Sequence, residues 1–142
     1  MRTWSNGNIV FAFGTTAWES LRNFSSRSRW FAPQFHPNGV GIEPMEEGTT
    51  ILCDMGFGVF SLSVHELKAP DYICMLGSVQ EVYLKIEFTV VDILDGARVG
   101  ACIELDGMDT KEDELSFCVD DWITDQLRSI KRHAESAPKM GL

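Results

Sequence analysis

The feature that most constrains the fold is a run of two-residue alternation between Gln80 and Leu94. Apolar side chains occupy every second position of this run, and polar side chains occupy most of the positions between them. The apolar positions are Val82, Leu84, Ile86, Phe88 and Val90. Alternation over this length predicts a strand of an antiparallel sheet with one buried face and one face in water.

A second strand of the same kind follows directly. Asp95-Gly96 is typical of a tight hairpin turn, and the chain after it resumes the alternation. The inward positions of this return strand are Val99, Ala101, Ile103 and Leu105, and the outward positions are Arg98, Cys102 and Glu104. The sequence therefore predicts a hairpin of two half-buried strands.

Shorter apolar or alternating runs predict further strands, bounded by glycine, proline and acidic turns. They are Ile9 to Phe13, Val40 to Pro44, Thr49 to Phe57, Val59 to Leu67 and Tyr72 to Gly77. Two short helices are predicted after the first of these strands. Thr15 or Thr16 caps the first helix, which runs to about Phe24, and a second helical turn extends from Arg27 to Phe31.

A long helix is predicted at the C-terminal end of the chain, after an acidic run that ends at Glu114 and as far as about Ala134. Its apolar positions recur at helical spacing, and acidic residues at its start and basic residues at its end complement the helix dipole. These apolar positions are Leu115, Val119, Trp122, Ile123, Leu127, Ile130 and Ala134.

This order of elements indicates the α+β class, with a curved antiparallel sheet wrapped around a long C-terminal helix and two short helices after the first strand. We expect a single domain over residues 1–135 and a disordered tail over 136–142. The net charge of −9 excludes a general binder of nucleic-acid phosphates, which needs a basic face. No apolar run has the length of a signal peptide or a membrane span, so we expect a cytoplasmic protein with no membrane insertion.

Three stretches resemble the START-like, or SRPBCC, superfamily and its helix-grip fold. NIVFAFGTTAWESLRNF is similar to the opening strand and first helix, SRWFAP to a W-[WF]-x-P stretch at the second helix, and DDWITDQLRSIKRH to the closing helix. The closing helix is most similar to the branch related to the heat-shock chaperone activator. The resemblance implies a cavity between the concave sheet and the long helix that takes a small hydrophobic or amphipathic molecule. Some members of the superfamily are polyketide cyclases or dehydratases, and others carry or sense ligands.

The residues expected to line this cavity are mostly aromatic or aliphatic, and Gln126 is a candidate for orienting a polar group of the ligand. They are Trp30, Phe31, Met55, Phe57, Phe60, Leu62, Phe88, Val90, Trp122, Ile123 and Gln126. A filled core without a cavity would have the same composition, and Gln126 at the edge of the helix stripe is equally compatible with a solvated position.

The sequence leaves catalysis open. His65 and His133 are expected on the surface and His36 in a loop, and no spacing of ligands indicates a metal site or a cofactor. The cysteines contain no C-x-x-C pair and are expected to be reduced thiols. The alternative function is a protein-interaction module, similar in role to the START-like domain of the chaperone activator, and the chain is expected to be a monomer or a homodimer.

Overall fold

The computed structural model describes residues 1–22, 46–54 and 59–136. Its strands are β1 (Arg2–Val10), β2 (Thr50–Asp54), β3 (Val59–Lys68), β4 (Tyr72–Val79), β5 (Val82–Ile93) and β6 (Gly96–Asp106), and its helices are α1 (Gly14–Arg22) and α2 (Asp109–Ser136). The predicted helical turn from Arg27 to Phe31 and the predicted strand from Val40 to Pro44 lie outside the described residues.

The six strands form one curved antiparallel sheet in the order β1-β6-β5-β4-β3-β2. Ile73, Phe88 and Ala101 lie in register across β4, β5 and β6, and all three are buried. Their side chains belong to the inner face of the sheet. Helix α2 covers this face and comes closest to β1, β6 and α1. The arrangement confirms the predicted α+β class and the curved sheet around a long C-terminal helix.

The β5–β6 hairpin confirms the alternating pattern, but both of its ends differ from the prediction. Gln80 and Glu81 form the turn before β5, with φ angles of 51° and 67°, so the strand starts at Val82. The turn after β5 consists of Leu94 and Asp95, because Ile93 pairs with Gly96. Asp95-Gly96 therefore predicted the correct hairpin, but the turn lies one residue earlier than predicted.

Gly96 has a different role from the predicted one. It is the first residue of β6, and a Cβ atom at this position would overlap the carbonyl oxygen of Val10 at the end of β1. The absence of a side chain lets β1 approach β6 closely at this end of the sheet. A glycine that allows two strands to pack closely therefore looks the same in the sequence as a glycine that forms a turn.

The prediction of a first strand from Ile9 to Phe13 is wrong. The strand β1 pairs with β6 from Arg2 opposite Leu105 to Val10 opposite Ala97, and Phe11 and Phe13 follow it with exposed fractions of 67% and 69%. The pairing of an edge strand depends on its backbone groups, so a polar segment can form it when a neighbour supplies the register. The prediction failed because most side chains of this apolar run are exposed to water and not buried as in a strand of the core.

Helix α1 begins earlier than its predicted cap. The amide of Ala17 donates to the carbonyl of Phe13 at 3.0 Å, so Thr15 and Thr16 lie inside the first turn and cap nothing. The predicted inner face is confirmed by the burial of Ala17, Trp18 and Leu21. The helix is described as far as Arg22, and its predicted end at Phe24 lies outside the described residues.

Helix α2 also begins earlier, at Asp109, so the acidic run belongs to the helix itself. Glu112 explains this start: its side chain is 1% exposed, and its Oε2 atom accepts a hydrogen bond from the backbone amide of Gly107 at 2.9 Å. The carboxylate thereby satisfies a donor just before the helix, where negative charge also meets the positive end of the dipole. The helix ends at Ser136, the first residue of the predicted tail, and residues 137–142 lie outside the described part.

Candidate functional site

The inner face of the sheet carries the described residues of the predicted ligand site. Phe60 and Leu62 lie on β3, and Phe88 and Val90 lie on β5. All four are buried, as the two-residue period of both strands requires for side chains on one face. Trp30, Phe31, Met55 and Phe57, which were predicted to complete the lining, lie outside the described residues.

Helix α2 places three predicted residues opposite the sheet. Trp122 and Ile123 are buried, as the apolar stripe predicts, and Gln126 follows one turn after Trp122 with only 2% of its surface exposed. The solvated position left open for Gln126 is therefore wrong. Burial of an amide is expensive unless the amide is hydrogen-bonded.

Accessible surface separates these residues into two groups. Leu62, Phe88 and Ile123 have no exposed surface, whereas Phe60, Val90 and Trp122 keep 6–7%. From the pairing of β3, β4 and β5, Phe60 lies at the level of Val82, and Val90 lies eight residues further along β5. Phe60 and Val90 thus lie toward opposite ends of the inner face, about 27 Å apart along the strands.

A contact between the two helices was missed by sequence reasoning. The hydroxyl of Ser20 on α1 is buried and donates to the carbonyl of Ile130 on α2 at 3.1 Å. Nδ1 of His133 lies 3.2 Å from the same hydroxyl oxygen. Because the carbonyl can only accept, the hydroxyl proton points to Ile130 and Nδ1 of His133 donates to Ser20. His133 is half-buried and hydrogen-bonded to α1, so the expectation of a surface histidine is wrong.

The outer face of the sheet carries a polar cluster of Tyr72, Lys85 and Glu87. The Tyr72 hydroxyl donates to Oε2 of Glu87 at 2.6 Å, and Nζ of Lys85 lies 3.6 Å from Oε1 of the same carboxylate. The hydrogen bond to Glu87 raises the pKa of Tyr72 well above its usual range, because it favours the protonated phenol. Burial raises the pKa of the neighbouring Cys74 thiol, which makes it a poor nucleophile.

Neither face shows a metal centre in the part of the chain that the structure describes: no group of three or more histidine, cysteine, aspartate or glutamate side chains is arranged to hold an ion. Among the same residues, no helix is long and apolar enough to cross a membrane. The buried titratable side chain Glu112 is bonded to the Gly107 amide and lies 3.7 Å from Nε of Arg2, which gives it a structural role at the start of α2.

Comparison with known proteins gives a result for the fold alone. No protein-family model matches the chain, and no curated protein matches its sequence. Its structure is similar to that of the Aha1 dimer from Colwellia psychrerythraea, with 16% identity, a TM-score of 0.70 and coverage of 98% of this chain and 100% of that chain. A Mesorhizobium loti protein has a TM-score of 0.73 at 10% identity, with coverage of 97% of this chain and 100% of that chain.

The Zhui aromatase/cyclase from a Streptomyces strain is also similar, with a TM-score of 0.65 at 13% identity and coverage of 94% of this chain and 93% of that chain. These likenesses extend over nearly the whole of each chain. The protein has the START-like fold. The START-like resemblance is therefore confirmed at the level of fold.

Proposed function

We propose that the protein binds a small hydrophobic or amphipathic molecule between the inner face of the sheet and α2. The observation that carries this proposal is the placement of α2, whose backbone comes closest to β1, β6 and α1. The apolar inner faces of β3 and β4 therefore lie further from the helix. A mostly apolar lining with one buried polar side chain, Gln126, has the composition of a ligand pocket.

The residues with remaining accessible surface suggest the shape of the molecule. Phe60 and Val90 lie toward the two ends of the inner face, and Trp122 lies near the middle of α2. An elongated apolar molecule running along the strands would contact all three. Gln126, one turn after Trp122 on α2, would meet a hydroxyl, carbonyl or carboxyl group of the molecule, which is why the proposal includes amphipathic ligands.

Binding is better supported than turnover. Among the described residues, the buried polar side chains Ser20 and Glu112 both have structural partners, as shown above. Gln126 does not titrate and cannot transfer protons as an acid or base. A cyclase- or dehydratase-like activity would therefore be assisted by orientation of the substrate more than by proton transfer from these residues.

The test compares two adjacent valines on β5. Val90 faces α2 and Val91, 56% exposed, faces the opposite side. We expect Val90→Phe to abolish thermal stabilisation by lipids and aromatic polyketides, because the larger ring occupies the proposed space, and Val91→Phe to leave it unchanged. Native mass spectrometry of protein from its natural host should show a bound molecule. If no library member stabilises the wild type and Val90→Phe costs 2 kcal/mol or more, as about 1–3 kcal/mol is expected for overpacking, the core is filled.

A second candidate function is protein interaction, and it has its own observation. Nine large apolar side chains are exposed in the described part of the chain, and six of them lie at the end of the sheet where β1 and β5 finish. They are Ile9, Phe11, Phe13, Val91, Ile93 and Leu94. Such clustering is typical of a contact surface. A photo-crosslinking residue at position 94 should capture a protein partner, and the same residue at exposed Tyr83 should not.

A further inference from the structure

The tip of the β5–β6 hairpin, Leu94 and Asp95, presents an apolar side chain beside a negative charge. Leu94 is 98% exposed, more than any other large apolar side chain among the described residues. Asp95 is also exposed, and no cation of the described residues lies within 4.0 Å of its carboxylate. A leucine side chain fully in water is unfavourable relative to a buried one, so its burial against a second molecule would be favourable.

An open groove lies on the outer face of the same hairpin. It has a volume of about 360 Å³, and its lining includes Val91, Arg98, Gly100 and Ala101. Gly100 contributes no side chain and lies opposite Thr89 on β5 and Gly7 on β1, so the centre of the groove stays shallow and free. Val91 provides an apolar wall next to the cation of Arg98.

The charges of the groove leave Arg98 available. Its guanidinium lies over Gly7, and no carboxylate of the described residues lies within 4.0 Å of it. The acid of the groove, Glu87, is already bonded to Tyr72 and paired with Lys85. Among the described residues, Arg98 and Asp95 are therefore both available to pair with a charge on a second molecule.

The tip cannot fill the groove of its own chain. Leu94 is three residues from Val91, about 10 Å along the hairpin, and its exposure of 98% shows that it contacts almost nothing. One surface thus carries both a projecting group and the cavity that complements it. This self-complementarity is the requirement of a two-fold interface between identical chains, in which each contact occurs twice.

We propose that this end of the sheet is a two-fold interface between two copies of the chain. Leu94 of each copy enters the groove of the other and packs on Val91, and Asp95 pairs with Arg98 of the other copy. The axis crosses the strands near Gly96, midway between the tip and Arg98. An axis along β6 would instead place the two Arg98 side chains against each other. The proposal rests on the second candidate function above, that this face is an interaction surface, and it names the occupant.

The experiment exchanges the charges between copies. Arg98→Asp alone would place two pairs of carboxylates together, and Asp95→Arg alone would place two pairs of guanidinium groups together. We expect each variant to raise the dimer dissociation constant about tenfold or more in sedimentation equilibrium, since like charges at an interface are strongly unfavourable. An equimolar mixture of the two variants should dimerise again, because each copy then supplies the partner charge that the other lacks.

Controls separate this mechanism from misfolding. Leu94→Ser should also weaken the dimer, while Tyr83→Ser, at an exposed position near the other end of β5, should not. Circular dichroism and thermal unfolding should be unchanged for all variants, since every substituted side chain is exposed. A wild type that stays monomeric at all accessible concentrations would overturn the proposal, even if crosslinking at position 94 still captures another protein. A mixture no better associated than either variant alone would overturn it equally.

Discussion

Two glycines on the outer face of β6 give a sharp test of how closely β1 approaches its neighbour. A Cβ atom at Gly96 would lie well inside 3.0 Å of the Val10 carbonyl oxygen and 3.4 Å from the Cα atom of Phe11. Both are backbone atoms, so Gly96→Ala must push the end of β1 away. The loss of strand hydrogen bonds and the overpacking together predict a cost of about 2–3 kcal/mol in the free energy of unfolding.

The matched variant is Gly100→Ala, four residues further along the same strand. Its Cβ atom would lie 2.9 Å from the hydroxyl oxygen of Thr89, which can rotate away, and at an ordinary contact distance of 4.0 Å from the Asn6 carbonyl oxygen. Alanine also reduces the conformational freedom of the unfolded chain, which offsets the remaining cost of this contact. We therefore expect the free energy of unfolding to change by no more than about 0.5 kcal/mol. Urea unfolding measures the change in the free energy of unfolding for both variants. In thermal unfolding, Gly96→Ala should melt about 6–9 °C lower than the wild type. Equal costs for the two alanines, or a larger cost at position 100, would refute the close approach of β1.

Three further predictions concern the site and the outer face. Gln126→Leu should weaken binding of amphipathic ligands while leaving binding of pure hydrocarbons unchanged in thermal-shift titrations, because only the former use the amide. The raised pKa of Tyr72 means that the unfolded chain loses this proton first as pH rises, so stability should fall above about pH 10, and Tyr72→Phe should weaken that dependence in pH-resolved unfolding. Cys102, half-buried in the outer groove, should react with a thiol reagent faster than buried Cys74, whose pKa is raised by burial, as peptide mass mapping would show.

The sequence predicts those elements whose own side chains determine which face is buried. The strand β5 repeats with period two over nine residues and α2 with helical period, and both elements were found, although α2 starts at Asp109, before the predicted start after Glu114. The strand β1 has no such pattern, because its register comes from pairing with β6, about 90–100 residues later in the chain. A strand whose pairing depends on residues far away in the chain leaves no pattern in its own sequence. The apolar run at the end of β1 and after it does have such a pattern, so the strand was predicted there instead.

For the candidate site, too, features of a single element could be predicted and contacts between elements could not. The inward positions Phe60, Leu62, Phe88 and Val90 could be read from alternation, and Trp122 and Ile123 from the helical stripe. The sequence could not predict which of these side chains keep accessible surface, because this depends on how closely two elements pack. Contacts between elements, such as His133 with Ser20, are also hidden from a single sequence, since the two residues lie 113 positions apart.

The position of β1 at the edge of the sheet also affects how the chain is made. Among the described residues its strand neighbour is β6, and the helix that secures its end does so through Lys131, which donates to the Ile9 carbonyl at 2.6 Å. Both elements are formed from the last third of the sequence. A ribosome adding about 5–20 residues per second would leave β1 unpaired for several seconds. An apolar strand in that interval would associate with whatever it met. The polar composition of residues 2–8, which hid this strand from sequence analysis, keeps it in solution until its partners emerge.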